Sequence, residues 1–323
     1  FANPPFLFGG GGVELLAKEM TADLQDALHL AESSPAGTVF DLDTHGVSFG
    51  TLESLGGGSV DFSGVEGISH DLVVRPFGRK GENFSMRDFD RGAMQFHFGI
   101  QPVEVIGAGV DGDGDGVSDE VTIGEMTALH FFDVANPRPV KARMRGRPEK
   151  DDDDAGAALF DNLGCAGCHM PVLTTQVPSV PLAYPEVPAE PFSNVYAWVD
   201  LVEADFDRAP GAGVLVPLFS DLKRHDMGPA LAETLEPSSA PLEIPNTHFV
   251  TARLWGVADT APYLHDGRAA TLYQAIWYHG GEAETARDAF IDGLSTADQR
   301  LLLRFLGRLR TPNRPNEELL PLP

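Results

Sequence analysis

Cysteine is nearly missing from this chain: two occur among 323 residues, at positions 165 and 168. A disulfide-braced scaffold is thereby excluded, because such folds rest on several bridges. Positive charge is also scarce. Lysine and arginine number 23 against 48 acidic residues, for a formal net charge of −25. A surface of that sign repels phosphate backbones, which excludes nucleic acid as a partner. It favours solubility and would steer a basic redox partner. Long apolar runs are lacking too. Stretches such as Gly211–Phe219 fall far short of the about 20 residues that a membrane span needs. No leader peptide is visible, and the opening on Phe1 reads as a processed or incomplete chain.

What is there is concentrated around the two cysteines. Residues 165–169 read Cys-Ala-Gly-Cys-His. That spacing lets two thiols add across the vinyl groups of one haem c while the following histidine binds the iron. Cys165 and Cys168 are thus the expected thioethers and His169 the proximal ligand. A structural zinc site would need two further nitrogen or sulfur ligands in a tetrahedron. No other cysteine exists, and no closely spaced histidine pair follows. Attachment of haem to thiols belongs to an export route, so a periplasmic or cell-surface location is expected.

The length suits two domains. The charged run Lys150–Asp154 is the expected boundary, with an N-terminal lobe at 1–150 and a haem domain at 151–323. The expected fold is mainly α, with a cytochrome c-like C-terminal domain and an α+β N-terminal domain. Val13, Leu16, Met20, Leu24 and Leu28 recur at helical spacing within 13–33. Short β-type runs between glycines follow at 38–42, 47–52, 60–62 and 72–74. Ser85 with Asp88 opens a helix to about Phe98. Thr122 with Glu125 is a capping box for a second helix, to about Val134. A short helix at 155–163 precedes the cysteines. The proline-rich stretch 171–191 reads as an extended loop, a candidate to wrap a haem edge. Helices are expected again at 218–223, 271–279 and 295–310, the last with Leu302, Phe305, Leu306 and Leu309 on one face.

The second axial ligand is open on the residues alone. His279 closes a helix capped by Thr271 and Gln274 and stopped by Gly280-Gly281. A histidine there equally suits the helix dipole. His225 and Met227 are rivals. His97 ends a helix before Gly99 in a similar way. A third constellation is Asp111-Gly-Asp113-Gly-Asp115-Gly116-Val117-Ser-Asp119. It places carboxylates at calcium-loop positions 1, 3, 5 and 9, a carbonyl at Val117 and a turn glycine at 116. Position 12 is Thr122, with Glu120 or Glu125 as substitutes for the usual glutamate. Trp255, Trp277 and Tyr278 flank the haem motifs as packing or as an electron path. Arg253 and Arg268 are candidate partners for haem carboxylates.

Residues 248–281 include Thr-Ala-Pro-Tyr-Leu-His265-Asp-Gly-Arg268 and then Thr271-Leu through His279-Gly-Gly. This segment resembles the second haem domain of the bacterial di-haem cytochrome c peroxidases and the related di-haem oxidoreductases. The peroxidases carry a methionine ligand eight residues after that threonine; here the place is held by His279. The resemblance therefore implies a bis-histidine iron, with a lower potential than a thioether would give. Asn3-Pro-Pro-Phe-Leu-Phe-Gly, Arg75-Pro-Phe-Gly-Arg-Lys-Gly81, Met86-Arg-Asp-Phe89 and His97-Phe-Gly-Ile resemble the first lobe of the same family. The family's first Cys-x-x-Cys-His segment is not in this sequence. A second haem-bearing chain or another redox protein is the implied partner. The expected role is electron transfer in a peroxidase-like oxidoreductase, or else in a non-catalytic monohaem subunit of a larger redox complex.

Overall fold

Helix α1, Gly10–Ser33, runs through the core rather than over it. Val13, Leu16, Met20 and Leu24 are buried as their spacing predicts, and Glu14, Lys18 and Glu19 are enclosed as well. Glycine makes this possible at the helix start. A Cβ on Gly11 would stand 2.3 Å from the Val134 carbonyl oxygen. The structure, a computed structural model, describes residues 6–233 and 244–312. Asn3, Pro4 and Pro5 of the first-lobe resemblance lie outside the described residues.

Strands β1 (Val39–Thr44), β2 (Val47–Gly56) and β3 (Ser59–Asp61) follow as an antiparallel sheet in that order. Leu42, Val47, Phe49 and Leu52 turn their side chains onto α1. The run 72–74 is not a strand; it is buried coil, with the Val74 N–H donating to Thr21 Oγ1 at 3.0 Å. Helix α2 (Met86–Ala93) is capped by the Ser85 side chain, continues into a π turn at Met94–Phe98 and stops at left-handed Gly99. Short α3 (Val103–Ile106) precedes α4 (Ile123–Val134), whose Thr122/Glu125 capping box is complete.

Strand β4 (Val140–Lys141) leads to α5, Arg147–Asn162. The charged run 150–154 lies inside this helix. Pro148 suits its first turn, and Lys150 reaches Asp154 one turn on at 2.5 Å. The proline-rich stretch supplies β5 (Leu173–Thr174) and β6 (Ser179–Ala183), which pair with β8 (Leu215–Val216) and β7 (Val195–Asp200). It packs on α1, where Glu19 accepts the N–H groups of Gln176 and Val177 at 2.8 and 3.0 Å. The helix expected at 218–223 does not form. Phe219 and Leu222 take left-handed backbone there, with φ of 55° and 61°. Strands β9 (Arg224–Asp226) and β10 (His248–Val250) form a further pair. The chain closes through α6 (Leu272–Trp277), α7 (Glu284–Asp288), α8 (Thr296–Leu306) and β11 (Leu309–Arg310), which returns to β4.

The fold is therefore not mainly α. It is 35% helix and 18% strand, spread over several two- and three-stranded sheets. Short runs whose local pattern suits a loop or a helix end find antiparallel partners, often far along the chain, and pair with them. Two apolar clusters result. The larger gathers α1, the first sheet, β5–β8 and Trp255. The smaller holds Phe160, Phe219, Phe290, Leu302, Phe305 and Leu306, with Cys165 and Ile276 packed against it. Among the described residues, no helix is long and apolar enough to cross a membrane.

Candidate haem site

The smaller cluster carries the motif. Helix α5 ends at Asn162 with Leu163 as its cap, left-handed Gly164 turns the chain, and Cys165–Gly167 forms a single 3-10 turn. The His169 N–H then donates to the Cys165 carbonyl at 2.9 Å, which sets both thiols and the imidazole on one short bend. Burial pushes the Cys165 thiol up to about 11.

His169 and His279 face one another across the site. Their ring centroids are 6.4 Å apart, with the rings inclined at 49°. His169 Nδ1 pairs with the Phe219 carbonyl at 3.2 Å, and His279 Nδ1 with the Ala275 carbonyl at 2.7 Å. A carbonyl only accepts, so each Nδ1 carries the proton and each Nε2 is the unprotonated nitrogen; the Ala252 backbone also lies against the His169 ring. Such a second bond is how a ligating histidine is held in one tautomer. Burial, reinforced by His279 nearby, lowers His169 to about 4; burial also lowers His279. Both imidazoles are neutral near pH 7. Two metal–nitrogen bonds of about 2 Å each, added to the rings' own half-widths, fill a gap of this size. The residues present therefore fit an iron held between two imidazoles, beside thiols placed for covalent attachment.

The segment 219–228 ties this arrangement together. Its first residue accepts from His169. Farther on, His225 Nε2 contacts Asp221 at 2.8 Å, and His225 Nδ1 contacts Glu282 at 2.7 Å and lies 3.9 Å from Cys168 Sγ. Burial alone would lower His225, but bonds to Asp221, Cys168 and Glu282 outweigh it and raise the imidazole to about 11. Cys168, Asp221 and His225 converge closely enough to suggest a metal site. With both ring nitrogens committed to carboxylates, His225 offers no lone pair, and Asp221, His225 and Glu282 form an ion-paired triad. Sequence reading missed Asp221 and Glu282. A carboxylate just past the ligand turn was the available signal, and nothing local named its partner.

The other candidates are dispersed. Met227 lends its backbone: its carbonyl would stand 3.0 Å from a Cβ on Gly280. His97 is solvent-exposed and sits edge-on to Phe96 and Phe98. His265 stacks on Phe249 at 4.6 Å. Arg253 is half-buried and donates to the carbonyls of Pro76 and Phe6, and Arg268 pairs with Asp266. Trp255 packs on Phe206 in the larger cluster, and Trp277 lies edge-on to Tyr278 at the surface. In the acidic loop, carboxylate oxygens of Asp111, Asp113 and Asp115 lie within 4.8 Å of one another. Asp119 accepts from Gly109 N–H instead. Glu120 accepts from Gln101 N–H, Glu125 caps Thr122, and the Val117 N–H donates to Asp115.

Comparison with known proteins finds no curated protein that matches. A solved structure of Kuenenia stuttgartiensis hydrazine synthase, pressurized with 20 bar xenon, aligns at 15% identity and a TM-score of 0.42, covering 95% of this chain and 90% of that one. Residues 209–309 match the family described as "Di-haem oxidoreductase, putative peroxidase". The matched stretch contains the 219–228 segment, His279 and Glu282, and it begins after the Cys-x-x-Cys-His motif. Its C-terminal portion is thus similar to the di-haem oxidoreductases, a likeness that implies a haem cofactor and a redox role.

Proposed function

We propose that this chain is a c-type cytochrome of the di-haem, peroxidase-like oxidoreductase class, carrying one covalent haem and serving electron transfer. The carrying observation is the pair of neutral imidazoles, His169 and His279, opposed across 6.4 Å with both Nδ1 atoms fixed by backbone carbonyls. Cys165 and Cys168 would hold the porphyrin through thioethers. When bound, the haem supplies a one-electron couple. The protein's part is to fix both ligands before oxidation or reduction, so that little rearrangement accompanies the change of charge. An iron bound on both axial sides has no open position for a substrate, which favours electron transfer over chemistry at this haem.

The partner in this reading is a second haem-bearing chain or another redox protein. Phe96 and Phe98, 80% and 68% exposed on either side of His97, form an apolar edge suited to such a contact. The compartment is the periplasm or cell surface, where haem is attached to thiols. We also propose Ca²⁺ at the Asp111, Asp113 and Asp115 loop, supported by the convergence of those carboxylates.

Haem stoichiometry and intact mass of the purified native protein test the main reading. One covalent haem on this chain and a low-spin spectrum are expected. A mass equal to the bare polypeptide, or no Soret band, overturns it. A second haem in the native assembly favours the peroxidase-like class; a single haem favours the alternative, a non-catalytic monohaem subunit of a larger redox complex.

A further inference from the structure

The turn that bears His279 is not held by its own helix alone. Helix α6 ends at Trp277, and Gly280-Gly281 follow the histidine at once. What fixes this turn comes from β9 and the residues after it. Glu282 grips β9 with both carboxylate oxygens: Oε2 meets His225 Nδ1 at 2.7 Å, and Oε1 accepts the Asp226 N–H at 2.8 Å. His225 is held in turn by Asp221. The backbones themselves are in close contact. A Cβ on Gly281, whose φ is +55°, would stand 2.1 Å from the Asp226 carbonyl oxygen, and one on Gly228 would stand 2.9 Å from Gly281 N. Only glycine tolerates this approach. On the far side, Arg287 donates to the His279 carbonyl at 2.9 Å.

The same segment reaches the opposite imidazole. The Phe219 carbonyl orients His169, and the Ser220 N–H donates to the Met170 carbonyl at 3.0 Å. Phe219 and Leu222 hold left-handed backbone in this strap. Non-glycine residues adopt it only where their surroundings enforce it. One strap, 219–228, therefore spans from the His169 side to the His279 side. Its second attachment is the Glu282–His225–Asp221 chain.

We propose that Glu282 and His225 are positioning residues that latch the His279 turn to the strap and keep the second axial position closed, so that loss of the latch opens the iron to outside ligands. This rests on the bis-histidine reading above. The consequence is a haem whose closed state is set by a replaceable contact at its edge, not by the ligand helix itself. A partner surface that competes for the Glu282 carboxylate, which is half exposed, would free the turn.

The test is carbon monoxide binding to the dithionite-reduced full chain, followed in the visible spectrum together with thermal melting. The wild type is expected to be low-spin and to bind carbon monoxide slowly or not at all. Glu282→Ala is expected to speed binding at least about tenfold, a barrier change of about 1.4 kcal/mol, and to add a high-spin fraction. Glu282→Gln keeps one oxygen acceptor for the Asp226 N–H but turns its NH2 donor toward the His225 Nδ1–H, and is expected to bind carbon monoxide at a rate between the wild type and Glu282→Ala. If Glu282→Ala does not accumulate with haem, His225→Asn is read in the same way. A low-spin wild type whose latch variants bind carbon monoxide no faster than it does overturns the latch alone. A wild type that binds carbon monoxide readily, or has no Soret band, overturns the bis-histidine reading instead.

Discussion

Glu14, Lys18, His130 and Glu186 meet inside the larger cluster, where water does not reach. Lys18 lies 2.7 Å from Glu14 and 3.8 Å from Glu186, and His130 lies 3.1 Å from Glu14. Burial would raise Glu14, but Lys18 and His130 outweigh it and lower it. Its contribution to stability is therefore fully present above the ordinary carboxylate range and is lost as pH falls below that range toward the lowered folded value. Asp90 behaves oppositely. Burial first, then Asp133 beside it, push it up to about 9. The folded chain thus keeps a proton that the unfolded chain releases near its ordinary value of 3.8. Across that window stability falls as pH rises. Asp90→Asn retains a donor toward Asp133 without the titration. Urea midpoints are expected to decline less between about pH 5 and about pH 9 in this variant than in the wild type; parallel declines would contradict the assignment. None of this was legible beforehand. The helical spacing on α1 marks only its apolar residues, and only tertiary packing encloses Glu14, Lys18 and Glu19.

Between elements, the decisive contact for the haem cluster is α5 against α8. The helices approach at Gly156, where a Cβ would stand 2.5 Å from the Leu301 carbonyl oxygen and 2.7 Å from Phe305 Cβ. Gly156→Ala is expected to cost about 1–3 kcal/mol by overpacking, read as a lower denaturant midpoint. Gly92→Ala in α2, where a Cβ meets nothing within 4 Å, is the matched control and is expected to be neutral or stabilising. Equal effects would mean that the α5–α8 approach is not tight. The capping boxes of α4 and α6 were readable because a cap is a hydrogen bond within four residues. The start of α5 was misread because a charged run looks like a break until Lys150 pairs with Asp154 and Asp153 with Lys141. The run 218–223 was misread because its apolar pattern suits a helix, whereas its backbone is bent into the strap.

At the scale of the whole molecule, a net charge of −25 makes the folded chain repel itself. Sodium chloride is expected to raise the melting temperature by screening, steeply at first and then to a plateau. Calcium is expected to raise it further at equal ionic strength, through the 111–115 carboxylates, and Asp111→Asn with Asp113→Asn to remove that increment. A calcium effect no larger than magnesium's at matched ionic strength would refute the loop as a calcium site.

The sequence by itself determined what is encoded within a few residues. It specified the paired thiols and adjoining histidine, the capped turn that ends at His279, the acidic balance and the alternating aspartates. Each is a local matter of spacing, hydrogen bonding or net charge. Tertiary structure alone decided that His279 stands opposite His169, that His225 and Glu282 brace it, and that the short strands find partners across long separations. Those outcomes depend on which surfaces exclude water together, and no short window of the chain contains that information.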